Sequence, residues 1–96
     1  MKVVNMQNGN GRAVPNQFVV YGAVIEVEGE LVEGTMFQSY ESNIAFKPYN
    51  SDVIYLGDDW EYSVITGKYR NLFLGIDKKE LQQRIKSGRA VILEGM

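Results

Sequence analysis

At 96 residues, with 45% hydrophobic and 23% charged side chains, the chain is sized for one domain around one core and is too apolar to stay disordered. It has no cysteine and no histidine, which excludes disulfides, thiolate or imidazole metal ligands, and Ser-His or Cys-His catalysis. The net charge of -2 is unevenly spread: residues 1–25 sum to +2, 26–61 to -8 and 62–96 to +4, so surfaces of opposite sign are expected.

No apolar run approaches the roughly 18 to 20 residues that span a bilayer, and the N-terminus lacks the apolar stretch of a signal peptide. A cytoplasmic protein with no membrane association is therefore expected. Residues 1–16 contain "NMQNGNGRAVPN", whose Asn and Gly content predicts an irregular leading segment that closes at Pro15.

A β meander is predicted over residues 17–56. In "QFVVYGAVIEV", residues 17–27, period-two spacing puts Val19, Tyr21, Ala23, Ile25 and Val27 on one face. A tight turn at "EGE" then leads back through "LVEGTMFQSY". Gly22 and Gly34, near the middles of these strands, predict a bulge or bend. "NIAFK" and "DVIYL" are two further short strands joined by "PYNS".

After Trp60 the apolar spacing changes to about 3.6, and residues 60–88 read as helical. Tyr69, Leu72, Phe73 and Ile76 form an i, i+3, i+4, i+7 stripe expected to be buried, with Lys68, Arg70 and Asn71 pointing out. Ser63 or Thr66 is the predicted N-cap and Gly75 the stop. In "IDKKELQQRIKSG", Asp77 and Glu80 form a capping box, Ile76 and Leu81 a hydrophobic staple, and Gly88 ends the helix. Residues 89–95 form a final strand. The expected fold is one α+β domain spanning 1–96, an antiparallel sheet of four to five strands with two short helices packed on one face.

Few patterns carry chemistry. "GNGR" at 9–12 lacks the strand-loop-helix context and the GK[ST] signature of a nucleotide loop. "TGKYR" puts a glycine and a lysine at a helix start, a weak anion signal. The acids Asp58 and Asp59 lack calcium-loop spacing. No catalytic residue, metal ligand or cofactor is assigned, and no enzymatic activity is expected. The candidate interaction surface is basic and aromatic: Lys68, Arg70, Asn71, Lys78, Lys79 and Arg84 with Trp60 and Tyr62. Glu26, Glu28, Glu30 and Glu33 form an acidic hairpin arm; such charges guard a strand edge against stray pairing, and they also suit docking on a basic partner surface.

The segments "NQF" (16–18), "FQSYESNIAF" (37–46), "WEYSVITGKYRNLFL" (60–74) and "RIKSG" (84–88) resemble a family of small uncharacterised proteins from bacteriophages and mobile elements of gut and Firmicute bacteria. Members carry two threonines where this chain has Ile65 and Thr66, and often a shorter hairpin than residues 19–36. The resemblance implies a phage or prophage origin and a bacterial host setting, with no activity to carry over. The expectation is a non-enzymatic accessory protein that binds a macromolecule, foremost a host protein. Nucleic-acid binding through the basic face around Lys68, Arg70, Lys78 and Lys79 is the alternative. The oligomeric state is left open, since an edge strand such as residues 17–27 could pair across a two-fold axis into a homodimer.

Overall fold

The computed structural model describes all 96 residues. Six strands, β1 (Lys2–Gln7), β2 (Ala13–Val27), β3 (Glu30–Ser39), β4 (Ser42–Pro48), β5 (Ile54–Leu56) and β6 (Ala90–Ile92), form one sheet whose spatial order repeats the chain order. Helices α1 (Val64–Leu74) and α2 (Lys78–Ser87) lie between β5 and β6. Neighbouring strands are antiparallel except β5 and β6, which are parallel. That exception follows from the connection, because a chain that leaves a sheet through helices and returns can lay its next strand in the same direction. The α+β class holds.

The leading segment is not irregular. Residues 2–7 pair with β2 from Lys2 opposite Tyr21 to Gln7 opposite Ala13. "NGNGR" is the hairpin turn between the two strands: Asn8 Oδ1 accepts from the amides of Asn10 at 2.9 Å and Arg12 at 3.1 Å, and Gly11 takes φ +76°. Pro15 does not break β2 because it sits where the ladder slips between Asn5 and Gln7, at a bulge that needs no amide donor. Asn5 Nδ2 staples this bulge by donating to the carbonyl of Val14 at 2.6 Å.

A second irregularity changes which side chains of β2 are buried. Gly22, at φ +72°, adds a residue between Tyr21 and Ala23, so the alternation restarts one step out of phase. Val19 packs with the helices, whereas Val20 and Ala23 join Met36 and Phe46 in a smaller cluster on the other face of the sheet. Tyr21 is left exposed. The single face expected for Val19 to Val27 is thus divided between the two sides of the sheet. The smaller cluster is closed by the C-terminal tail, where Met96 packs on it and Asn43 Nδ2 donates to the Met96 carbonyl at 3.1 Å.

The main core lies between sheet and helices: Phe37, Ile44, Ala45, Ile54 and Leu56 from the strands, then Trp60, Tyr69, Phe73, Leu81 and Ala90. Both helices are capped as their sequences require. Ser63 Oγ accepts from Thr66 N at 3.1 Å, and Asp77 Oδ1 from Glu80 N at 2.8 Å, while Gly75 and Gly88 adopt the left-handed conformation. Only half of the capping box forms, since the Glu80 carboxylate pairs forward with Arg84 at 3.1 Å. Ser63→Ala is expected to lower stability by about 1 kcal/mol, the usual worth of an N-cap hydroxyl, read from the shift of the urea midpoint at constant slope.

The buried stripe of α1 differs in phase from the expected one. Thr66, Tyr69, Arg70 and Phe73 face inward, again an i, i+3, i+4, i+7 set. Leu72 is 60% exposed and Arg70 only 2%. A guanidinium can replace an aliphatic side chain in such a stripe when its donors are satisfied, and the neighbouring Trp60 carbonyl and Asn71 side chain do that for Arg70.

Candidate functional site

The largest depression on the molecule, about 980 Å³, opens where the β3–β4 turn meets the first turn of α1. Its floor is a chain of hydroxyls, buried at Ser39 and Thr66 and open to solvent at Ser63. Thr66 Oγ1 lies 2.9 Å from Ser39 Oγ and receives a hydrogen bond from Ser63 Oγ at 3.1 Å. The sharp turn that brings Ser39 here puts Tyr40 at φ +56°, with its amide donating to the Asn16 carbonyl at 2.7 Å. The rim is aromatic and aliphatic: Tyr40, Tyr62, Val64 and Ile65 line it and are exposed, Tyr62 by 69% and Val64 by 90%. Two acids, Glu41 and Asp59, are its only charged lining residues, and Asp59 Oδ2 accepts from Ser42 Oγ at 2.9 Å. Behind the floor, Gln17 is the cross-strand partner of Ser39 and is fully buried, with no protein partner for either side-chain amide atom.

The expected basic surface is divided. Lys68, Arg70, Asn71 and Lys78 do meet, around a second depression on the flank of α1 together with Glu61 and Gly67. Arg70 is nevertheless an interior group. Its Nη1 donates to the Trp60 carbonyl at 2.6 Å, its Nε and Nη2 to Asn71 Oδ1 at 3.2 and 2.9 Å, and its Cζ lies 5.3 Å from the centre of the Trp60 ring. Burial lowers the Arg70 pKa and the negative charge of Glu61 opposes that shift. Trp60 is itself buried and covered by the guanidinium, so its ring is not free for a base to stack on. Lys78 is bonded to Glu61 at 3.0 Å. Arg84 lines a different depression, with Lys47 and Arg89. Lys79 is exposed and lines neither depression, and Tyr62 belongs to the groove at the start of α1.

The acidic arm is a projecting two-stranded ribbon. Pairing of β1 with β2 stops at Tyr21 and pairing of β4 with β3 stops at Gly34, so residues 23–33 extend past both neighbours. Glu28 at φ +49° and Gly29 at φ +82° make the tip, the geometry of a tight two-residue hairpin. Val24 opposite Glu33 and Glu26 opposite Leu31 share one exposed face, while Ile25 and Val32 turn toward the smaller core. Glu26, Glu28, Glu30 and Glu33 are all exposed and none is in an ion pair. Residues 17–21 are interior to the sheet, because β1 covers them; the sheet edges are β1 and the short β6.

Sequence reasoning missed the groove because it took exposed positions from charge. Val64, Ile65 and Leu72 lie off the buried stripe of α1, and apolar residues on the wrong side of an amphipathic helix were the available signal. No three acidic side chains converge as a metal cage, and no helix is long and apolar enough to cross a membrane.

The architecture is a six-stranded sheet with two capped helices packed against it. The chain is a member of DUF8033, a family of unknown function, whose profile matches residues 1–88 and so takes in every element from β1 to α2. No curated protein and no solved structure is significantly similar.

Proposed function

We propose that the chain is a non-enzymatic binding protein, encoded by a phage or prophage, that acts in the host cytoplasm by engaging a host protein through the groove at the start of α1. The observation that carries this reading is the ring of Tyr40, Tyr62, Val64 and Ile65 around a hydrogen-bonding floor. Aromatic and aliphatic side chains that stay exposed on a small domain mark surfaces that another chain covers. The occupant suited to it is a short peptide segment with apolar anchors and a lysine or arginine, because Glu41 and Asp59 are the groove's only charges.

Nucleic acid fits less well. Arg70 is interior, Lys78 is paired with Glu61, Trp60 is covered, and the arm presents four unpaired glutamates. A phosphate backbone is recognised by free cations aligned along a groove, and the face around Lys68 and Arg70 lacks that alignment.

Selection from a displayed library of random peptides tests the proposal. Enriched sequences are expected to carry apolar residues flanking a Lys or Arg. Their affinity should fall by about tenfold or more in the Val64→Glu, Ile65→Glu double variant, as for loss of an interface anchor, and should stay unchanged in Lys79→Ala. Both groove side chains are solvent-exposed, so the double variant keeps the fold. Enriched peptides that bind the double variant as tightly as the parent, or a selection that enriches nothing, would overturn the reading.

A further inference from the structure

Three cations meet at a place that the peptide groove does not use. Lys47, at the end of β4, Arg84, in the last turns of α2, and Arg89, between α2 and β6, line a depression of about 390 Å³. Its one acid is Asp52, and its walls include Pro48, Val53 and Leu74. The local structure explains only part of this concentration of charge. Lys47 Nζ donates to the Phe73 carbonyl at 2.9 Å and sits 4.3 Å from the centre of the Phe73 ring, which accounts for one of its three donors as a cap on the end of α1. No carboxylate lies within ion-pairing distance of it, and burial lowers its pKa.

The two arginines are likewise underused. Arg84 gives Nη2 to Glu80 at 3.1 Å, while its Nε is buried without an acceptor. Arg89 spends Nε on Ser87 Oγ at 3.3 Å and makes no ion pair. Unspent guanidinium forks beside a partly dehydrated ammonium match an oxyanion, which accepts several charge-assisted hydrogen bonds at once.

The geometry points to an oxyanion site here, one that takes the phosphate group of a small phosphomonoester between Lys47, Arg84 and Arg89. A phosphate fills only part of the depression, and the apolar wall of Pro48, Val53 and Leu74 leaves a place for a short organic substituent. Asp52 opposes the bound charge, so it sets the affinity rather than contributing to it.

The experiment is a titration of the isotopically labelled full chain with inorganic phosphate, then with glycerol 3-phosphate, at constant ionic strength made up with chloride. Amide and arginine Nε–H signals are followed by NMR. Saturable shifts are expected at residues 51–53, 84 and 88–90. The Arg84→Gln, Arg89→Gln variant should bind about tenfold or more weakly, and Asp52→Asn severalfold more tightly. Glycerol 3-phosphate should bind more tightly than inorganic phosphate.

Shifts that do not saturate, that spread equally to Lys68, Lys78 and Lys79, or that persist at parental affinity in the double-arginine variant would overturn the site. So would unchanged or weaker binding by Asp52→Asn, a conservative surface change that keeps the site testable even if the arginine variant fails to fold. Peptide binding in the groove at the start of α1 is read separately and neither supports nor sinks this result.

Discussion

Arg70→Ala is expected to destabilise the protein by about 3 kcal/mol, an effect usually reserved for large core side chains. The substitution strips the Trp60 carbonyl and the Asn71 side-chain oxygen of their donors and leaves a void beneath α1. An unsatisfied buried acceptor costs about 1 to 3 kcal/mol, and lost packing adds to it. Arg70→Lys should recover little, because an ammonium cannot reach both acceptors or lie flat against the Trp60 ring. Arg70→Met restores volume but not donors, and is expected to fall between alanine and the parent. The guanidinium is charged at neutral pH: burial lowers its pKa, but an arginine starts far above neutrality, and Glu61 works against the shift. Its contribution to stability should therefore be insensitive to pH around neutrality. Urea titration measures all three variants, with fluorescence of the single Trp, which touches Arg70, as the reporter. A methionine variant as stable as the parent would remove Arg70 from the structural role assigned to it.

The second large effect is expected at Gly34. A Cβ built there would overlap the Lys47 carbonyl and stand 2.7 Å from the Phe46 ring and 2.8 Å from Pro48 Cα. Two of these three are β4 backbone, held by the ladder on one side and by the Tyr49 amide to Glu33 carbonyl bond at 3.1 Å on the other. The strands have no room to separate without giving up pairing. Gly34→Ala should cost about 3 kcal/mol or more, a drop on the order of 15 °C in Tm for a domain of this size. Gly9→Ala is the control, since nothing lies within 4 Å of a Cβ at that position. Equal melting temperatures for the two variants would show that β3 and β4 approach less closely than described.

Regular elements were legible in the sequence where spacing alone decides them. The β2–β3 hairpin, β4, β5, both helices with their caps, and the final strand follow from period, turn residues and capping residues. Phase was harder to read than period. Each bulge inserts a residue and exchanges inside for outside, so Gly22 moved Ala23 to the face opposite Val19. β1 was hidden because its turn residues, Asn8 to Arg12, and the nearby Pro15 resemble an irregular segment until their strand partner is known.

At the candidate sites, charge misled. It stood for exposure, and that substitution fails for an arginine with acceptors arranged around it. Arg70 thereby displaced Leu72 from the buried stripe, and the same rotation left Val64 and Ile65 uncovered beside Tyr62. Tyr40 reaches that groove through a positive φ in the β3–β4 turn, a placement that depends on tertiary pairing and has no local signature.

The order of the strands also has a kinetic meaning. Since each strand through β5 lies beside the one before it, the sheet can grow from a single hairpin by adding neighbours, each requiring closure of only a short loop. β6 differs: the chain from Gly57 to Arg89, which carries α1 and α2, separates it from β5, so its pairing closes the longest loop in the sheet, and the helices are both the lid of the core and the tether of the last rung.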